Sequence, residues 1–521
     1  MNIRKLPIGI QDFCKLREEG YVYVDKTALV YNLVQTSCPY FLSRPRRFGK
    51  SLLVTTLEAY FLGKKELFTG LEMEKLETEW NVYPVLKFSL ASGMFTQKDG
   101  LSVRLKTTLE EFEKKYGLPG KDEDLAVRFG HALKNAVKKT GMKVAVLVDE
   151  YDTPLLKNIG VNPEQEAENR MLYKGFFSVL KDCDASLRFA FFTGVTKFSK
   201  VSIFSDLNQL QDISMHEDYA EICGITQEEL ENELSPEVDA MAQKNGVSRE
   251  ECLARLKQLY DGYHFTNSAP DIYNPFSLIN AFSSKKFSKF WFETGTPTFL
   301  VKRLKETNFN PRSFTDGSLY VSEDEIKDYR PDNPDVVSLL YQSGYLTIKG
   351  YDKEFDSYTL GFPNNEVKYG FTESHAPVYL NSQKPLDIRS FGRDIKSGNT
   401  DGIRDRFTAL FAHLPYASGT VEDAMVERDF QNVIFLTFLL LGQFVQVEQH
   451  TAKGRADCIV ETDELVYIFE FKRDASADDA LAQIESSGYA TPYQADKRTI
   501  VKVGVNFDSS KRNISEWKVL R

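Results

Sequence analysis

The sequence predicts an α/β protein. It has an N-terminal parallel sheet with flanking helices, a mostly helical middle region and a smaller C-terminal α/β domain. Three observations predict this. Apolar runs without polar alternation recur between longer helical patterns through the first ~215 residues, which marks strands buried on both faces of a parallel sheet. A Gly49-Lys50-Ser51 triplet follows the first such run. Near the C-terminus two apolar runs flank an acidic turn, with an acid at a matching place on each.

In chain order, Tyr40–Ser43, Val85–Leu90, Val144–Val148 and Phe189–Phe192 read as strands. Between them lie helical patterns such as Ser51–Leu62, stopped by Gly63. Helical stretches at Gln227–Leu234 and Arg249–Tyr260 follow, mixed with turns. Residues 383–400 are polar and contain Pro and Gly, so a boundary is expected there. The expected domains are 1–220, 221–385 and 386–521, about three for a chain of 521 residues.

Composition narrows the function classes. At 42% hydrophobic and 27% charged the chain is globular, neither disordered nor fibrous. No apolar run approaches the ~18 residues that a spanning helix needs, and the first residues lack the apolar core of a signal peptide. The six cysteines form no Cys-x-x-Cys pair, which argues against a disulfide framework or a cysteine zinc site. The expected compartment is the cytoplasm, with no membrane partner. A formal charge of −10 argues against a surface that coats nucleic acid indiscriminately, and leaves room for a local basic track such as Arg44, Arg46 and Arg47. The six histidines show no metal-ligand spacing. The many Phe and Tyr residues follow the apolar periodicity and are expected in the core.

Arg44-Pro-Arg46-Arg47-Phe48-Gly49-Lys50-Ser51 lies between a strand and a helix. It fits the phosphate-loop pattern except at its first glycine, where Arg44 stands and would resist a positive φ. Such a loop points backbone N–H groups at phosphates from a helix N-terminus. Lys50 would reach the β- and γ-phosphates, and Ser51 would hold Mg²⁺. The run Val144–Val148 ends in Asp149 and Glu150, at the sheet edge where open α/β sheets place ligands. Asp149 would coordinate Mg²⁺ and Glu150 would polarise the attacking water. Thr193 ends a third strand, as a sensor of the γ-phosphate or as a plain turn. The absence of an Asn-Lys-x-Asp guanine reader favours ATP.

The phrases RPRRFGKSL, VLVDEYDTPL and TGVTKFSKVSIFSDLNQL resemble the AAA-ATPase-like domain of a widespread bacterial family. So do Tyr260–Phe265, Tyr273–Phe276 and Phe292–Gly295. The resemblance covers most of the chain, and the arginine-rich loop is itself a family feature. It implies a P-loop NTPase fold at the N-terminus. It also implies a C-terminal PD-(D/E)XK nuclease-superfamily domain, which is restriction-endonuclease-like.

The C-terminal residues carry that second expectation. Asp457 precedes the run Cys458–Val460, and Glu470-x-Lys472 ends the run that starts at Leu465. Positions 457 and 470 are symmetric about the Asp463–Glu464 bond, so a hairpin turning there sets them opposite each other, with Cβ atoms about 4.5–5.5 Å apart. Lys472 shares a face with Glu470, because strand side chains alternate. Two facing carboxylates repel, and a divalent cation, Mg²⁺ or Mn²⁺, would relieve them. The alternative is a plain Lys472–Asp457 cross-strand pair. Glu427 sits three residues before the helical stripe Phe430, Ile434, Phe438 and Leu441, as a further metal carboxylate or as a partner of the helix dipole. Gln483 resembles an accessory position of the superfamily, with Tyr489 the next tyrosine.

The expected function is ATP binding and hydrolysis, with the ATP state controlling a Mg²⁺-dependent nuclease. Nucleic acid, DNA above RNA, is the expected partner. Acids outnumber bases from residue 415 onward, so DNA affinity needs a clustered basic face, another part of the chain or a homo-oligomer. The alternative is a nucleotide-dependent switch or scaffold whose nuclease-like fold binds without cutting.

Overall fold

The structure is a computed structural model. It describes residues 4–117, 124–198, 207, 209–291, 314, 317, 319–327, 336–379, 387–412, 433–443, 446–449 and 457–521. The chain forms two compact units, Met1–Val367 and Lys368–Arg521.

The first unit is built on five parallel strands. These are β1 (Pro39–Ser43), β2 (Val85–Ser89), β3 (Val144–Asp149), β4 (Leu187–Gly194) and the short β5 (Gln211–Asp212), in the order β2-β3-β4-β1-β5. Every residue of β3 is buried, which is why its run lacks alternation. Parallel pairing needs crossovers, so all the strands end at one edge of the sheet. That edge receives Ser43, Asp149 and Gly194, the last residues of β1, β3 and β4. The helix Lys50–Phe61 follows β1 and buries Leu53, Val54, Leu57 and Phe61 at helical spacing. Aromatics fill the core as expected: Phe88 meets Phe129 and Phe176 edge-on, with ring centroids 5.7 and 5.5 Å apart.

Beyond the parallel sheet, four helices surround Leu230, Val238, Leu256 and Leu278. They are Gln227–Glu233, Ser235–Asn245, Arg249–Tyr260 and Pro275–Ser284. The first starts on a capping box, in which Thr226 and Glu229 satisfy each other's backbone N–H groups. A small antiparallel sheet completes the unit: β6 (Tyr320–Ser322), β7 (Thr347–Asp352) and β8 (Ser357–Gly361), with β8 in the middle.

The second unit holds β9 (Gln446–Gln449), β10 (Cys458–Glu461), β11 (Leu465–Arg473), β12 (Thr499–Asp508) and β13 (Asn513–Leu520), in the order β13-β12-β11-β10-β9. Only β11 and β12 are parallel. The helix Ala477–Ser486 lies in the crossover that joins them. One face of the sheet packs Tyr467, Phe469, Val503 and Val505 on helical residues such as Phe391, Phe407 and Phe438. The other packs Ile459, Val466 and Ile468 on Leu481 and Ile484 of the crossover helix. Part of the polar stretch 383–400 is the helix Ile388–Ser397, whose Ile388, Phe391 and Ile395 are buried at helical spacing. Among the described residues no helix is long and apolar enough to cross a membrane.

Candidate functional site

The strand ends of the first unit gather the predicted acids and the phosphate loop. The helix Lys50–Phe61 has Gly49 as its N-cap, at φ 89°. This left-handed value suits a residue without Cβ. The other left-handed position in the loop is Arg47, at φ 69°, and Arg44 is not one. The turn that glycine makes in the standard pattern is therefore carried by Arg47, at a cost of roughly 1–2 kcal/mol for a non-glycine residue. Left-handed residues close in sequence turn successive N–H groups toward a common centre, the geometry of an anion nest.

Lys50 is 7% exposed, and its ammonium donates to the Arg44 and Pro45 carbonyls at 2.9 Å each. Burial lowers its pKa, while Asp152, Glu150 and Asp149 oppose that shift. The lysine thus sits among the acids that follow β3. Asp149 accepts a hydrogen bond from the Ser51 hydroxyl, and its carboxyl is pushed up by burial and by Glu150. Its Oδ1 is buried without a hydrogen-bond partner. Glu150 is itself left-handed at φ 53° and accepts from the Thr153 hydroxyl at 3.1 Å. A cleft of about 410 Å³ opens here, lined by Arg46, Arg47, Gly49, Lys50, Ser51 and Glu150 on its polar side. Ile8, Phe276 and Ile279 are among its apolar lining.

The loop's side chains are not all on this cleft. Arg44 is 1% exposed and points to the far side of the loop. It donates there to the Ser214 carbonyl at 2.7 Å and the Tyr219 carbonyl at 3.1 Å. Expected among the nucleotide-binding residues, its guanidinium is instead a structural clasp. The Phe48 ring is buried against Tyr263 and Phe265. Thr193 is fully buried, and its hydroxyl donates to the Leu42 carbonyl at 2.8 Å. That commits it to the seam between β4 and β1 rather than to a ligand.

Asp152 has a role that its place in the sequence does not announce. It is 1% exposed and accepts from the Val195 and Thr196 N–H groups at 2.9 and 2.7 Å, so it ties the end of β4 to the turn after β3. Burial pushes its carboxyl up to about 6. The only sequence signal for it is a further acid three residues after Asp149.

In the second unit Cys458 pairs with Phe469 and Ile459 with Ile468. Continued by one residue, this register sets Asp457 opposite Glu470. The carboxylates interlock with the backbone: Phe471 N–H donates to Asp457 Oδ2 at 2.8 Å, and Asp457 N–H donates to Glu470. Glu470 is 2% exposed, and its Oε2 is buried without a hydrogen-bond partner. Burial and Asp457 across the ladder raise its pKa, and Lys472 opposes them. The Lys472 ammonium donates to Glu470 Oε1 at 3.1 Å and to Gln483 Oε1. Gln483 in turn donates to the Tyr489 hydroxyl at 3.3 Å. Glu427 and Phe430 lie outside the described residues.

Each place fits a divalent cation on its own terms. Asp149 and Glu470 each present one buried, partnerless carboxylate oxygen beside a second oxygen ligand, Ser51 or Asp457. Mg²⁺ takes only one or two carboxylates and keeps several waters. Among the described residues no group of three or more His, Cys, Asp or Glu gathers as a metal cage.

A parallel sheet with a lysine loop and acids at its strand ends, followed by a mixed sheet carrying Asp and Glu-x-Lys, defines an ATPase-like domain joined to a nuclease-superfamily domain. Comparison with known proteins agrees. Residues 7–204 match the family described as "Predicted AAA-ATPase", and residues 425–517 match the PD-(D/E)XK nuclease superfamily. A protein of Azotobacter chroococcum mcd 1, described as "Uncharacterized protein in vnfD 5'region", is 37% identical over 529 residues, which cover 99% of this chain and 98% of that protein. The chain belongs to the AAA-ATPase-like family with a C-terminal PD-(D/E)XK nuclease-superfamily domain.

Proposed function

We propose that this protein binds and hydrolyses ATP in the cleft beside Lys50 and cleaves DNA at Asp457, Glu470 and Lys472, with the ATP state controlling cleavage. The observation that carries the nuclease half is the buried, partnerless Glu470 Oε2 facing Asp457 beside an anchored lysine. A carboxylate oxygen buried without a partner is uncommon, and a bound cation would satisfy it.

In the cleft, Lys50 contacts the phosphates, and the N–H groups around Gly49 cradle them. Ser51 and Asp149 would hold Mg²⁺, and Glu150 orients and deprotonates the attacking water. In the second unit Asp457 and Glu470, with Glu427, would hold Mg²⁺ or Mn²⁺. A cation bound at either place supplies a Lewis acid and lowers the pKa of water. Gln483 holds the Lys472 ammonium where negative charge develops on the scissile phosphate, and a charge placed in advance is worth most there. An adenine nucleotide and DNA are the proposed ligands, and the cytoplasm is the proposed compartment.

The test is incubation of supercoiled, linear and single-stranded DNA with Mg²⁺ or Mn²⁺, with and without ATP. Wild type should cut and Asp457→Ala should not, while both turn over ATP. Lys50→Ala should lose ATP turnover. Equal cutting by wild type and Asp457→Ala would refute the nuclease assignment. Undiminished turnover by Lys50→Ala would refute the ATP site.

A further inference from the structure

The loop carries three arginines within four residues, and the structure puts them in different places. Arg44 is enclosed. It donates to the Ser43, Ser214, Tyr219 and Ala220 carbonyls, and its guanidinium carbon lies 4.1 Å from the Phe265 ring centroid. Arg47 is half-buried. Its Nη1 donates to the Trp291 carbonyl at 3.0 Å and the Phe290 carbonyl at 3.4 Å, and its guanidinium carbon lies 4.1 Å from the Phe276 ring centroid. The segment it grips is fixed in turn, because Trp291 N–H donates to the buried Glu366 at 2.7 Å. Arg46 differs from both. It shares the wall of the cleft with Arg47, beside Lys50 and Ser51, but it is exposed, and among the described residues no hydrogen bond or ion pair claims it.

These placements separate two kinds of work. Arg44 commits both its Nη groups to carbonyls, Arg47 commits its Nη1, and each stacks on a ring, which ties both guanidinium groups to the fold. Arg47 also holds a left-handed backbone, so its side-chain anchors offset the strain of the turn that aims the loop's N–H groups. A guanidinium on the cleft wall with its donors open is placed for an anion.

We propose that Arg46 alone of the three supplies charge to the polyphosphate of the nucleotide, while Arg44 and Arg47 are positioning residues that hold the loop against the middle region. The proposal rests on the ATP-binding reading above. Arg46 needs only its positive charge, so lysine replaces it. Arg47 needs its planar fork and its stacking face, which lysine lacks.

The test is equilibrium binding of a fluorescent ATP analogue to the full chain with Mg²⁺, across a series of salt concentrations. Arg46→Ala should weaken binding about tenfold and flatten the salt dependence, because one screened contact is gone. Arg46→Lys should recover most of the loss. Arg47→Ala and Arg47→Lys should both weaken binding while keeping the wild-type salt dependence. Wild-type affinity in Arg46→Ala, or full recovery in Arg47→Lys, would overturn the division. Failure of wild type itself to bind, alongside Lys50→Ala, would overturn the ATP reading and the proposal with it.

Discussion

Asp261 shows what burial does to a single carboxyl outside the proposed chemistry. It follows the helix Arg249–Tyr260, is 2% exposed, and has an Oδ1 with no hydrogen-bond partner. Burial, with help from Asp271, pushes it up to about 6. In the unfolded chain it titrates near ~3.9. Between those values the folded protein keeps a proton that the unfolded chain has lost. The group's contribution to stability is therefore complete below about pH 4 and lost as the pH rises through about 6. Asp261→Asn should raise the thermal midpoint at neutral pH and match wild type near pH 4; thermal melts at both pH values check this, and equal midpoints at neutral pH would contradict it. A second residue-scale expectation concerns Gln483. Its truncation to Ala should lower DNA cleavage about tenfold, by freeing Lys472 to swing. Thermal stability should stay near wild type, since the amide packs no core. Single-turnover cleavage rates measure this.

The hairpin of β10 and β11 is legible in the sequence alone, because a strand's period of two and one turn position suffice to place Asp457, Glu470 and Lys472. The crossover helix that holds Gln483 is only partly so. It reaches the sheet over Gly504, which pairs with Glu470, and a Cβ there would meet the Ala477 carbonyl at 2.4 Å. No local pattern announces so close an approach. Gly504→Val should push the helix outward, lowering the melting temperature of the second unit and its DNA cleavage together; loss of neither would show that the helix has room to spare. The phosphate loop is legible as a loop but not in its side chains. Arg44 is fixed by a carbonyl 170 positions away, and Arg47 by one 244 away. Partners that distant leave no trace in the spacing of neighbours, so the sequence marks Arg44 only by the glycine it replaces and does not separate Arg46 from Arg47. Thr193 misleads for a similar reason: its use depends on β1 lying beside β4.

At the scale of the molecule, the two proposed chemistries lie in separate compact units, which makes them separable by mutation. Asp149→Asn should abolish ATP turnover and leave the Mg²⁺-dependent, ATP-independent part of cleavage intact; Glu470→Gln should do the reverse. Paired turnover and cleavage assays on both variants check this. The placement of the loop also bears on how the protein is made. Residues 44–51 leave the ribosome early, yet β1 cannot pair until β4 (187–194) exists. The loop's clasps wait longer still, for 214–220, then 263–265, then 290–291. A nascent chain stopped at residue 220 would therefore carry the lysine loop, Asp149, Glu150 and Asp152, and the Arg44 clasp, but not the partners of Phe48 and Arg47 at 263–265 and 290–291. Nucleotide capture should begin only once translation has passed residue 291, and arrested chains of graded length would reveal that onset.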